Sequence, residues 1–162
     1  MYPITIETKP DLEALCVHAT GDYMHIGKAF ETLMVSIGTA GLVGPSTRFI
    51  GVYFDAPDVV PKEQLRAAAC AVLGDTLPSP DATLPTGVER YTIQAGECAV
   101  LSHTGPYDSL PAAYEWLFGT WLPESGRFPA DAPPFEEYLN DPRSTPPPEL
   151  RTEIFLPLKP AI

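Results

Sequence analysis

Two short runs hold the groups most able to do chemistry: Glu136-Glu137-Tyr138 and Glu153-Ile154-Phe155. Each sets a carboxylate two residues before an aromatic ring. On an extended strand, residues two apart point to one side. Glu136 is therefore expected beside Tyr138, and Glu153 beside Phe155. With both strands in one sheet, one surface would carry two carboxylates and two rings. Such a surface suits a lipophilic cation. Ring faces attract positive charge, and a carboxylate in an apolar wall supplies the counter-charge. The competing expectation is that both glutamates are solvated, as strand glutamates usually are. Tyr53, Tyr107, Trp116 and Trp121 are further rings that could line a site. Trp121 falls on a core stripe of a helix, as does Tyr114. Trp116 falls off it, as an edge residue or a pocket wall.

The elements that must position these residues are written twice. Laying 20–33 over 104–117, a shift of 84, matches Thr20, Gly21, Tyr23, Ala29, Glu31 and Leu33 to Thr104, Gly105, Tyr107, Ala113, Glu115 and Leu117. A second block matches at a shift of 85, where Tyr53, Pro57, Pro61, Leu65 and Arg66 recur as Tyr138, Pro142, Pro146, Leu150 and Arg151. A single long period implies two modules related by a pseudo-two-fold axis rather than a solenoid. The copies differ where chemistry would need them to: Gly51 and Ala68 become Glu136 and Glu153. Tyr107 recurs from Tyr23, where no glutamate is near, so its recurrence is open to a structural or a pocket role. Arg66 and Arg151 are read as structural, anchoring a turn or pairing with an acid.

Each copy reads strand–helix–strand–strand. Strands are expected at 4–9, 11–19, 49–54 and 65–73, with a helix whose stripe is Ile26, Phe30, Leu33 and Ile37. Adding 84 to the stripe gives Leu110, Tyr114, Leu117 and Trp121, the same face on a second helix. Asp22 is the expected cap of the first helix, and Asp108 or Ser109 of the second. The run LRAAACAVL at 65–73 favours helix by propensity. Its partner LRTEIFLPL at 150–158 is β-branched and aromatic, so both are read as strands. Segments 88–93 and 98–103 are expected to form a hairpin that opens the second copy. Repeat 1 spans about 1–74, a Pro- and Thr-rich linker about 75–87 and repeat 2 about 88–162, within a single domain 1–162.

The chain has 162 residues and a formal net charge of −11, with ten Lys and Arg against 21 Asp and Glu. That balance argues against nucleic-acid binding, which draws most of its affinity from basic residues on phosphates. Cys16, Cys70 and Cys98 and the three histidines have no metal-ligand spacing, and no metal or cofactor is expected. A Ser102 or Cys98 partnership with His103 is disfavoured. The cysteines are expected as small core residues. No apolar run approaches a membrane span, and no signal segment opens the chain, so a cytoplasmic location is expected. Twenty prolines, many between 123 and 148 among aromatics, suggest rigid packed loops.

Four ordered motifs carry a family resemblance: GVYFDAPDVVPKEQLR at 51–66, HTGPY at 103–107, FEEYLNDP at 135–142 and LRTEIFLP at 150–157. Together they resemble the GyrI-like family, whose fold also serves as the effector-binding domain of AraC-type and MerR-type transcription activators. The resemblance covers essentially the whole chain. It implies an α+β fold: a tandem pseudo-two-fold repeat, an antiparallel sheet with two main helices and a central ligand cleft. In multidrug-sensing relatives that cleft binds bulky hydrophobic cations against acidic and aromatic residues. Carried onto this sequence, those positions are Glu136 and Glu153, with Phe155 where a tyrosine is common. With no DNA-binding segment before the domain, a stand-alone small-molecule-binding protein is expected. Two alternatives accompany it. One is a hydrolase of electrophilic, cyclopropane-bearing natural products using Glu136 or Glu153. The other is a gyrase-inhibiting protein partner, with the acidic surface mimicking DNA.

Overall fold

A computed structural model describes residues 2–161. It shows an α+β protein whose strands all pair antiparallel, with two main helices. The strands are β1 (Ile4–Lys9), β2 (Leu12–Thr20), β3 (Arg48–Tyr53), β4 (Arg66–Val72), β5 (Glu89–Ile93), β6 (Gly96–Thr104), β7 (Phe135–Tyr138) and β8 (Arg151–Pro157). The helices are α1 (Gly27–Thr39), α2 (Leu110–Trp116) and the short α3 (Leu122–Ser125).

The chain divides into two compact units, one of residues 11–93 and the other of residues 1–10 with 94–162. In the first, the strand order is β5-β2-β4-β3, and α1 covers one sheet face. In the second, the order is β1-β6-β8-β7, with α2 on the matching face. The edge strands are exchanged relative to chain order. The expected 88–93/98–103 hairpin does not form: β5 pairs with β2, while β6 pairs with β1 and β8. The short Gln94-Ala95 connection reads locally as a turn, yet each flanking strand finds its partners far away in sequence.

β4 holds the alanine run that propensity would make helical. It is a strand because both its edges are hydrogen-bonded, to β2 and to β3, and tertiary pairing outweighs a weak local preference. Its alanines leave room for α1. Leu33 and Ile37 are fully buried against Ala69 and Ala71. In the second unit the strand side is larger, with Ile154 and Leu156 of β8 against Leu110 and Ala113 of α2 and Leu117 just beyond it.

The recurring Thr-Gly marks a fixed turn. The Gly21 N–H donates to the Leu65 carbonyl and that of Gly105 to the Leu150 carbonyl, both at 2.8 Å. The φ values are +125° and +139°, a region open to glycine. Asp22 does cap, accepting the Met24 N–H at 3.0 Å, over a 3-10 turn that precedes α1. Neither candidate caps α2. The Ser109 hydroxyl instead donates backwards to the Pro106 carbonyl at 2.7 Å. Beyond α2 the helix widens into a π turn, Leu117–Trp121. Pro123 cannot donate to the Gly119 carbonyl, and its ring crowds that position; the Leu122 N–H bonds to the Leu117 carbonyl instead.

Arg66 is held by Asp55 of its own unit. Its guanidinium makes a two-pronged contact with that carboxylate at 3.0 and 2.8 Å, and its backbone N–H donates to the same group at 2.9 Å. In the second unit Asn140 replaces the acid and accepts the Arg151 N–H at 2.9 Å.

A buried carboxylate among tyrosines

The register of β7 on β8 decides which candidate residues meet. Glu136 lies opposite Ile154, and Glu137 opposite Glu153. Directly opposed residues share a face. Glu136 and Tyr138 therefore stand with Ile154 on the face covered by α2. Glu153 stands with Glu137, Phe135 and Phe155 on the other. The expectation of one surface with both Glu136 and Glu153 is overturned. Each Glu-x-aromatic pair is on one side of its own strand, but the strands are offset by one residue, and one residue inverts the face.

On the helix-covered face Glu136 is only 5% exposed. Its Oε2 accepts the Tyr114 hydroxyl at 2.5 Å and its Oε1 accepts the Tyr138 hydroxyl at 2.8 Å. Tyr114 comes from α2, four residues after Leu110, and its ring stacks on Phe118 at 6.4 Å. Tyr107 meets Tyr138 edge to face at 5.5 Å. The Tyr107 phenol is pushed above its ordinary pKa, first by burial and then by the negative charge of Glu136 and of Asp141. The result is a carboxylate held by two phenols, with Tyr107 and Phe118 extending the ring wall. Tyr114 fits the helix stripe and by that pattern belongs to the core. Its hydroxyl was the available signal, since a buried tyrosine needs a partner for that group.

The other candidates lie elsewhere. Phe155 stacks flat on Phe135 at 4.7 Å. Glu153 beside it is partly buried. Its pKa is raised, first by burial and then by the Glu137 charge, with Lys9 opposing. Trp116 packs against Tyr2 at 5.5 Å, and Trp121 joins the apolar cluster under α2. Tyr53 sits in the first unit, edge to face with Tyr23 at 4.8 Å. That pair is the counterpart of Tyr107 and Tyr138, so the recurring tyrosines have a packing role in both copies.

His103 is not set up to activate a nucleophile. Ser102 and Cys98 are one and five residues away on the same strand, and therefore on the opposite face. Its Nε2 lies 2.8 Å from the Ser109 hydroxyl, which itself donates to the Pro106 carbonyl. Nε2 must then be the donor, and the basic nitrogen is Nδ1, which is buried without a hydrogen-bond partner. Burial lowers the His103 pKa. Among the described residues no helix is long and apolar enough to cross a membrane.

The strands and helices make an antiparallel α+β domain with a buried carboxylate between two tyrosines, and among the described residues no group of His, Cys, Asp and Glu is placed to hold a metal ion. The chain belongs to the GyrI-like small molecule binding domain family, whose model matches residues 2–159. It is 31% identical over 141 residues to the DNA gyrase inhibitor of Salmonella typhimurium strain LT2, covering 86% of this chain and 87% of that protein. Its fold is similar to the crystal structure of the EcmrR C-terminal domain, with a TM-score of 0.74 at 19% identity, covering 99% of both chains. It is also similar to SAV2435 bound to tetraphenylphosphonium, with a TM-score of 0.66 at 18% identity, covering 97% of this chain and 94% of that one.

Proposed function

We propose that the second unit binds a hydrophobic organic cation, with Glu136 as counter-charge and Tyr107, Tyr114, Tyr138 and Phe118 as the ring surface. The observation that carries this reading is the 5% exposed Glu136 carboxylate with a phenol on each oxygen. A buried carboxylate costs several kcal/mol in lost hydration, and a sheet face of this kind is built without one in the first unit, where Gly51 stands at the equivalent place. Rings beside an anion offer a soft cation both charge and apolar contact. Most of the affinity comes from apolar burial, about 25 cal/mol per Å² before association costs; the carboxylate selects the charge.

The test is calorimetric titration with tetraphenylphosphonium and with neutral triphenylphosphine oxide. Glu136→Gln is expected to weaken the cation by about tenfold or more, the loss of one charge-assisted contact, and to leave the neutral compound within a factor of about two. Equal losses for both compounds would refute the counter-charge role.

A second reading rests on the curated relatives, which carry the name DNA gyrase inhibitor. An acidic chain of net charge −11 fits a basic protein groove. Inhibition of gyrase supercoiling by the purified chain, lost at high salt, supports it. No effect at micromolar protein removes it.

A further inference from the structure

The first unit has neither glutamate, but it has a thiol pair that the second unit lacks. We propose that Cys16 and Cys70 are an oxidisable dithiol, which a peroxide reaching the cavity beside His18 converts to a disulfide joining β2 to β4.

Cys16 lies directly opposite Cys70 in the β2–β4 register, so both sulfurs are on one face. Opposed Cα atoms in antiparallel strands are about 4.5–5.5 Å apart, within the range of about 4.4–6.8 Å that a disulfide spans. The Cys70 thiol donates to the Ala68 carbonyl at 3.8 Å, and its neighbour across the ladder on that face is Cys16. His18, two residues along the same strand, brings Nε2 to 3.6 Å from the Cys16 sulfur and 3.1 Å from a Glu89 carboxylate oxygen. Both cysteines are fully buried, but His18 is half-exposed. It lines a cavity of about 320 Å³ with Thr20, Phe54, Arg66 and Tyr91. A small oxidant in that cavity is one imidazole ring away from Cys16.

The pair is also differentiated. Cys16 is the one with the His18 imidazole at 3.6 Å, so Cys16 is the attacking thiol and Cys70 the resolving one. Cys98 is the internal contrast: burial pushes its thiol up to about 11, and its hydrogen goes to the Ala95 carbonyl at 3.5 Å. The fold does not require the dithiol, since the equivalent opposed pair in the second unit is Val100 and Phe155, and His18 becomes Ser102.

The chemistry balances with one hydrogen peroxide. His18 Nε2 hands its hydrogen to the Glu89 carboxylate and takes the Cys16 proton, the thiolate attacks one peroxide oxygen and the O–O bond breaks. The departing hydroxide recovers that proton as water, leaving Cys16 as a sulfenic acid. The Cys70 sulfur then attacks the Cys16 sulfur, the S–O bond breaks, and hydroxide leaves with the Cys70 proton as a second water. Two thiols and one peroxide give one disulfide and two waters.

The test treats the intact wild-type chain with hydrogen peroxide under native conditions. The protein is then unfolded, alkylated and digested without reduction. The expected product is a peptide pair linked through Cys16 and Cys70, lighter by the two thiol hydrogens and reversed by dithiothreitol, with Cys98 alkylated. His18→Asn, at a half-exposed position, is expected to slow thiol loss by about tenfold, the effect of a one-unit rise in thiol pKa on the thiolate fraction. All three thiols surviving millimolar peroxide, Cys98 reacting first, or Cys16 ending as a sulfinic acid without the link would each overturn the proposal. An unchanged rate in His18→Asn overturns the role of His18. The mapping uses the unaltered chain, so the outcome does not depend on how a variant folds.

Discussion

Tyr114→Phe removes one oxygen and keeps the ring. The lost atom is the hydroxyl that donates to Glu136 Oε2 at 2.5 Å, while the stack on Phe118 is retained. Glu136 is 5% exposed, so water does not freely replace the donor. A hydrogen bond to a charged group contributes about 1.5–3 kcal/mol, a neutral one about 0.5–1.5. The single variant is therefore expected to lose roughly 2 kcal/mol at neutral pH, near 4–8 °C in melting temperature for a domain of this size. In a Glu136→Gln background the same change is expected to cost only about 1 kcal/mol, because the acceptor there is neutral. The double-mutant cycle isolates the coupling, about 1 kcal/mol. Urea unfolding at equal m values measures all four corners. A Tyr114→Phe loss below about 0.5 kcal/mol, additive with Glu136→Gln, would refute a buried charge anchored by this phenol.

Glu153→Gln is expected to stabilise the chain at neutral pH by roughly 0.2–1 kcal/mol, because Glu153 directly opposes Glu137 and like charges across strands repel. The folded pKa of Glu153 is raised, so its favourable contribution is full below the unfolded value of about 4.3 and is lost as pH rises through the folded value. The variant and wild type should converge near pH 4 and separate by pH 7; thermal melts that show the same gap at both, or a less stable variant at pH 7, contradict this. Thr152 is 1% exposed, and Thr152→Val removes its buried hydroxyl, which has no hydrogen-bond partner. It is expected to raise stability by about 1 kcal/mol, and a fall on urea unfolding would show that the hydroxyl is satisfied. In the first unit, Gly51→Glu alone is expected to cost about 3 kcal/mol or more as an unpaired buried acid. Adding Phe30→Tyr, the equivalent of Tyr114, should recover about 1.5–3 kcal/mol; no recovery would argue that the two units do not share this geometry.

The architecture was legible because the duplication supplied two readings of every element. The alanine run of β4 would have been assigned to helix on propensity; only its β-branched partner in β8 made the strand visible. The exchange of β1 and β5 was not legible. Each sits next in sequence to the strand it seems to pair with, and nothing local reports that its hydrogen bonds go to the other copy's β2-type strand. The candidate site was half legible. Glu136 with Tyr138 follows from the two-residue period of one strand. Whether Glu153 joins them depends on register, which is set by the ladder between strands and not by either strand alone. Tyr114 was hidden because its ring satisfies the core pattern while its hydroxyl serves the site.

The two copies show which substitutions belong together. At the helix position the pair is Phe30 and Tyr114; at the strand position facing it, Gly51 and Glu136. The first copy has no carboxylate there and no hydroxyl above it, while the second has both, 2.5 Å apart. The strand tyrosine, Tyr53 or Tyr138, is present in both copies, edge to face with Tyr23 or Tyr107, so it needs no ligand to account for it. An acid placed only to solvate the surface would not bring its own partly buried donor from the helix. Glu153 lacks such a companion. It replaces Ala68 on the face away from α2, opposite another carboxylate, and its pKa is raised by burial first and by that neighbouring charge second. Of the two glutamates that distinguish the copies, Glu136 is the one with a matched donor, and it is the one the proposed function uses.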